Sequence, residues 1–213
     1  MLVEDIMTRD VETVSPSTNI CDALAIMEER RIRHLPVLAG GALVGIVSEG
    51  DLKEAQSLVI RDCREGAERR TPVEVVMRRR VFTAHPLDPI EEAALVMYRR
   101  RIGCLPVVSG GELVGIVTQT DLIRSLVELM GVNRSSSRLE VQVPDRPGML
   151  AQIAELIRKH GVNISSVLTL PAEEAGEKKL VFRLQTIDLR RIAGDIREAG
   201  YRITWPPTLD ETR

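Results

Sequence analysis

Apolar residues recur at helical spacing through "NICDALAIMEERR" (19–31) and leave a charged face opposite, which predicts an amphipathic helix. The chain then changes period. "LPVLAGGALVGIV" (35–47) is two apolar runs around a Gly-Gly pair, the pattern of a β-hairpin. "SEGDLKEAQSLV" (48–59) returns to helix, and the short "VETV" (11–14) ahead of the first helix reads as extended. The predicted order is strand, helix, hairpin, helix.

The whole order then comes back without a gap, Val3 lying over Val73, Met27 over Met97 and so on at one constant offset. "VFTA" (81–84), "PIEEAALVMYRRR" (89–101), "LPVVSGGELVGIV" (105–117) and "TQTDLIRSLVELM" (118–130) repeat the elements in turn. Residues 31–52 lie over 101–122 with 14 of 22 positions identical, so two copies of one unit fill positions 1 to 127. A charged stretch, "REGAERRT" (64–71), separates the copies, and "GVNRSSSR" (131–138) reads as a linker after the second.

The remaining chain has its own pattern. "RLEVQV" alternates as a strand, and "PGMLAQIAELIRKHG" is an amphipathic helix with Pro147 near its start and Gly161 past its end. "VNISSVLTL" and "KKLVFRLQT" read as strands, "LRRIAGDIREAG" as a helix and "YRITW" as a strand. That is βαββαβ, the ferredoxin-like arrangement. The fold class is therefore mixed α/β (α+β), in three segments: 1–63, 71–130 and 138–207.

Composition narrows the chemistry. Hydrophobic residues at 44% suit a buried core, while a net charge of −2 and 2% aromatics give no field or stacking platform for nucleic acid. Cys21, Cys63 and Cys104 are distant from one another and odd in number, which argues against a disulfide framework and for a reducing compartment. His34, His85 and His160 show no ligand spacing, so no metal site is expected. The first ten residues lack a signal-peptide core, and no stretch is long enough to span a bilayer. A cytoplasmic, soluble protein follows. No nucleophile–base pair or phosphate-binding loop of the Walker type is present, so catalysis is not expected and no cofactor is required.

One turn recurs: "SEGD" (48–51) in the first copy and "TQTD" (118–121) in the second. A hydroxyl at Ser48 or Thr118 with an acid three residues on suffices as a helix-capping box. Each hydroxyl also stands where a strand ends and a helix begins, a place suited to phosphate, and an Asp one turn in can accept from a ribose diol. Cap and clasp both remain open on this pattern.

The doubled unit with these turns resembles a tandem pair of CBS domains, a Bateman module. The resemblance implies pairing about a pseudo-twofold axis, with two clefts for adenosine compounds such as AMP, ADP, ATP or S-adenosylmethionine. It implies ribose contacts for Asp51 and Asp121, ribose or phosphate contacts for Ser48 and Thr118, and an adenine pocket beside Thr13 and Thr83. Arg33 and His34 of the first copy correspond to Gly103 and Cys104 in the second, which places phosphate neutralisation with the first copy's basic pair unless Arg9, Arg79 or Arg80 reach in. Either capping of a helix C-terminus or ligand contact accounts for Arg33 and His34, and Arg99 to Arg101 read as a solvated face.

The last segment, with "DRPGML" (145–150) and "GVNI" (161–164), resembles an ACT domain, which implies amino-acid binding near Asp145, Gly148 and Asn163 or dimerisation. Val143 and Asp145 depart from the His and Asn of serine-binding members. The order CBS–CBS–ACT is similar to the acetoin-utilisation AcuB family. The expectation is a regulatory sensor, a homodimer, that binds an adenosine ligand and signals to the ACT domain or to an unidentified enzyme partner. The alternatives are a scaffold that only dimerises and an amino-acid sensor acting through the ACT domain.

Overall fold

The computed structural model describes residues 1–59, 71–132 and 135–207, with side chains left aside at 56–59. Cys63, most of the charged stretch 64–71, and residues 133 and 134 of the linker therefore lie outside the described residues. The chain divides into two units, Met1–Ile123 and Arg124–Arg213.

In the first unit α1 (Val3–Ile6), α2 (Ile20–Arg30), the hairpin β1 (His34–Ala39) and β2 (Ala42–Ser48), and α3 (Glu49–Val59) form one copy. A 3₁₀ turn (Val73–Val75), α4 (Ile90–Arg100), β3 (Cys104–Ser109), β4 (Glu112–Thr118) and α5 (Gln119–Leu129) form the second, with the break between units inside α5. Both hairpin loops are a Gly-Gly pair with two positive φ angles, at Gly40–Gly41 and Gly110–Gly111, as a two-residue turn of the I′ kind needs. The extended pieces "VETV" and "VFTA" are each reduced to a single parallel bridge, Val14 to Val37 and Ala84 to Val107.

The copies exchange their entry segments. Val3 and Met7 are buried among Ala84, Ala93, Met97, Leu105, Val107 and Val117 of the second copy. Val73 and Met77 are buried in turn among Ile20, Ala23, Met27, Leu35 and Val47 of the first. The backbone follows suit: Arg78 exchanges two hydrogen bonds with Ile46 on the edge of β2, and Thr8 exchanges two with Ile116 on β4. β2 and β4 also pack against each other. Neither core is complete without the other copy.

Gly45 and Gly115 are what let these segments in. A β-carbon on Gly45 would stand 2.5 Å from Met77 Sδ, and one on Gly115 would stand 2.6 Å from Met7 Sδ and 3.0 Å from the Thr8 carbonyl oxygen. The glycine in "LVGIV" is thus a close-approach position.

The second unit holds β5 (Ser137–Pro144), α6 (Met149–Arg158), β6 (Ile164–Pro171), β7 (Glu177–Leu184), α7 (Arg190–Glu198) and β8 (Arg202–Trp205). All its strand pairs are antiparallel, in the order β6-β7-β5-β8, as βαββαβ predicts. Met149, Ile153 and Ile157 on α6 and Ile192, Ala193 and Ile196 on α7 cover Leu139, Val141 and Phe182 of the sheet. Spacings of three and four positions put one stripe of each helix into the core.

The cysteines do not all follow the sequence reading. Cys21 is disulfide-bonded, whereas Cys104 is a buried free thiol.

Candidate functional site

A cavity of about 250 Å³ in the first unit lies between the two copies. His34, Ser48 and Asp51 of the first copy line it, the first at the start of β1 and the other two where β2 passes into α3. Opposite them stand Arg78, Arg80 and Phe82 from the entry segment of the second copy, and Arg100, Arg101, Gly103 and Cys104 from the last residue of α4 to the first of β3. The segment exchange explains this partnership. Met77 is seated in the first core, so the next residue, Arg78, is carried to the edge of β2 and its side chain reaches Asp51.

The SEGD turn is a reciprocal cap. Asp51 Oδ2 accepts from the Ser48 backbone N–H at 3.0 Å and from Ser48 Oγ at 2.5 Å, while the Asp51 N–H donates to Ser48 Oγ at 3.2 Å. TQTD does the same: Asp121 Oδ2 accepts from Thr118 N–H and Oγ1 at 2.9 and 2.6 Å, and Asp121 N–H donates back at 3.3 Å. Each cap uses one carboxylate oxygen, Oδ2. In the first copy Asp51 Oδ1 accepts from Arg78 Nε at 3.2 Å and Nη2 at 2.8 Å, a two-pronged ion pair across the copies. At the position of the first copy that corresponds to Arg78, the chain has Thr8.

Burial pushes the Asp51 carboxyl up, yet hydrogen bonds from Arg78 and Ser48 outweigh it and hold it below its ordinary value. The same bond to Asp51 raises the Arg78 guanidinium. His34 goes the other way: burial lowers its pKa, the Asp51 charge opposes this, and Arg33 adds to the lowering. The imidazole is held toward its neutral form, packed so that a β-carbon on Gly103 would come within 2.9 Å of the ring. Burial pushes the Cys104 thiol up to about 12, so it is an inert wall rather than a nucleophile.

Of the residues singled out from sequence, His34, Ser48 and Asp51 meet in this cavity. Thr118 and Asp121 occupy the corresponding turn of the second copy, outside it, and Arg33, Thr13 and Thr83 do not line it. The basic groups that do line it come from the second copy: Arg80, already a candidate, with Arg78, Arg100 and Arg101. Arg99 to Arg101 are exposed, as the solvated-face reading expects, and Arg100 and Arg101 line the cavity from there. In the second unit Asp145 and Gly148 lie at the turn after β5, with Asp145 salt-bridged to Lys178 at 3.0 Å near the start of β7. Asn163 lies by Gln185, past the other end of β7, so the chain does not bring these three together within one unit. Among the described residues no group of His, Cys, Asp and Glu could hold a metal ion, and no helix is long and apolar enough to cross a membrane.

Comparison with known proteins agrees with this architecture. The CBS domain is matched by residues 3–58 and again by 73–128, and the ACT domain by 137–200. The CBS domain-containing protein YhcV of Bacillus subtilis is 33% identical over 120 residues, 56% of this chain and 81% of that protein. The CBS pair of protein MJ0100, solved in complex with 5'-methylthioadenosine and S-adenosyl-L-methionine, superimposes with a TM-score of 0.54 at 31% identity, covering 60% of this chain and 97% of that one. An acetoin utilization protein (AcuB) from Vibrio cholerae gives a TM-score of 0.54 at 35% identity, covering 64% and 98%. Relatives named as enzymes are matched only in part; the chain spans 22% of the inosine-5'-monophosphate dehydrogenase of Thermoplasma acidophilum. Both kinds of domain are regulatory rather than catalytic modules. The chain belongs to the CBS-domain family, as a tandem CBS pair followed by an ACT domain.

Proposed function

We propose that this protein is a non-catalytic sensor whose CBS pair takes an adenosine-type ligand in the cleft between the copies. The observation that carries the reading is the cavity itself, with His34, Ser48 and Asp51 converging on it from one copy and a basic wall from the other. In this reading Asp51 exchanges Arg78 for the two hydroxyls of a ribose, while Ser48 offers its hydroxyl at the start of α3. The ligand alters the angle between copies that share their cores, and that change passes to the ACT domain or to a partner. The protein works as a homodimer.

A second reading rests on one observation. Both Asp51 oxygens are already satisfied, one by Ser48 and one by Arg78. If that latch never opens, the cleft is architecture and the modules only assemble a complex.

A thermal-shift panel separates the two. A ligand present at 100 times its dissociation constant adds about 2.7 kcal/mol to stability. Stabilisation by at least one of AMP, ADP, ATP, methylthioadenosine or S-adenosylmethionine supports the sensor. No shift with any of them, at millimolar concentration, leaves the scaffold.

A further inference from the structure

We infer that the cleft at Asp51 selects an adenosine polyphosphate over uncharged or cationic adenosine compounds, and that its counterpart in the second copy is not a nucleotide site. This rests on the adenosine reading above and adds the ligand's charge. The MJ0100 pair was solved with methylthioadenosine, which is uncharged, and S-adenosylmethionine, which carries a sulfonium. The cleft here has a different balance.

Four guanidiniums, Arg78, Arg80, Arg100 and Arg101, line it against one carboxylate, Asp51. Only Arg78 is spent on that carboxylate. Among the described residues no acid pairs with Arg80, Arg100 or Arg101. Two of them share one aromatic ring: the Arg100 guanidinium lies 4.7 Å from the centroid of Phe82 and that of Arg80 lies 5.6 Å from it. Two like charges held beside one ring, with no counter-ion, form a preorganised seat for an anion bearing more than one charge. Planar guanidiniums also suit two-pronged contacts with phosphate oxygens. Arg101 adds a third charge from the left-handed C-cap of α4, a backbone conformation that Arg31 shares at the end of α2 and that therefore does not distinguish the two clefts.

The counterpart positions in the first copy tell the opposite story. Arg78, Arg80 and Phe82 correspond to Thr8, Asp10 and Glu12. Where Arg100 lies on Phe82, Arg30 is salt-bridged to Glu12 at 3.1 Å. With Arg31 and Arg33 the corresponding positions carry three cations, and Asp10, Glu12 and Asp121 carry three acids. An anion entering there would meet Arg30 already held by Glu12, and two acidic positions, Asp10 and Glu12, where the first cleft has Arg80 and Phe82. Charge excess, not the shared turn, distinguishes the two clefts.

Titration calorimetry on the full chain, with adenosine, AMP, ADP, ATP, methylthioadenosine, S-adenosylmethionine and inorganic tripolyphosphate, tests this. The expected result is one site per chain and affinity rising with each phosphate, with ADP at least tenfold tighter than methylthioadenosine or S-adenosylmethionine. That preference should shrink as salt is raised. Arg80→Ala combined with Arg100→Ala should weaken ADP by about tenfold to a hundredfold and change adenosine little. Methylthioadenosine or S-adenosylmethionine binding as tightly as ADP overturns the inference and leaves the adenosine sensor standing. So does equal affinity from adenosine to ATP, and two equivalent sites overturn the single-cleft claim. Binding of tripolyphosphate with no binding of adenosine compounds keeps the anion seat and overturns the adenosine reading. Silence from every compound overturns both.

Discussion

A single methyl group on Gly115 tests whether the exchange of entry segments holds the CBS pair together. Its backbone needs no special φ, so alanine is conformationally admissible and by itself would stabilise by about 0.4–1 kcal/mol through the unfolded chain. The new carbon, however, would stand 2.6 Å from Met7 Sδ, 3.0 Å from Met7 Cγ and 3.0 Å from the Thr8 carbonyl oxygen. Met7 is 8% exposed and packed in the second copy's core, and the Thr8 carbonyl is bonded to the Ile116 N–H at 2.9 Å. Neither can withdraw freely. Overpacking of this kind costs about 1–3 kcal/mol, and the fixed backbone contact puts Gly115→Ala at the upper end. The net loss is then about 2–2.6 kcal/mol. Gly45→Ala should cost less, because its backbone contact is 3.4 Å and its closest neighbour is Met77 Sδ at 2.5 Å. Urea unfolding followed by circular dichroism reads both values. Met7→Ala removes the contacts with Met7 Sδ and Cγ and leaves only that with the Thr8 carbonyl oxygen, so the Gly115→Ala/Met7→Ala pair should be more stable than the sum of the single losses by about 0.5–3 kcal/mol. Gly115→Ala as stable as wild type, or strict additivity with Met7→Ala, would mean that the entry segment does not press on Gly115.

Three further outcomes follow from the cleft. His34 has a depressed pKa, so the unfolded chain binds its proton more readily. The stability it contributes is complete above its ordinary 6.5 and is lost as pH falls below that value; His34→Gln should flatten the urea midpoint between pH 7 and pH 5.5, and an unchanged slope would contradict this. Gly103→Ala forces the His34 ring away from a contact of 2.9 Å and should reduce affinity for any cleft ligand in calorimetry, whereas the same change at Gly194, with nothing within 4 Å, should not. Light scattering at micromolar concentration should give the mass of a dimer, and a monomer with and without nucleotide would remove the dimer from the proposed function.

The repeat made most of the fold legible, because a strict, gapless offset forces two copies of the same apolar pattern into the same elements. The helix stripes, the Gly-Gly hairpins and the βαββαβ order all depend on local spacing, and all appear as read. Ser48 and Asp51 were legible for the same reason. What sequence could not supply was partnership across the copies. Nothing local says that Met77 fills the first core, so nothing says that Arg78 reaches Asp51 or that Arg100 lines the same cleft as His34. The signal was nonetheless present where the copies diverge: Thr8 against Arg78, Asp10 against Arg80, Glu12 against Phe82. A position that breaks an otherwise close repeat by charge marks an asymmetric site better than one that keeps it. The Cys21 disulfide lay beyond an argument from count and distance along the chain.

In the proposed sensor Asp51 is a ligand acceptor as well as a cap, and calorimetry of Asp51→Asn against wild type, with the nucleotide that binds best, separates the two roles. Asparagine keeps the shape and can still accept at the turn, so the cap should lose no more than about 1 kcal/mol of stability. A carboxylate facing a ribose diol is a charge-assisted acceptor, and its loss should weaken binding by roughly 1.5–3 kcal/mol, about tenfold to a hundredfold. Asp121→Asn is the matched control and should leave affinity within twofold of wild type. A large loss is expected at Asp51 alone. Unchanged affinity in both variants would mean that the repeated turn only starts a helix.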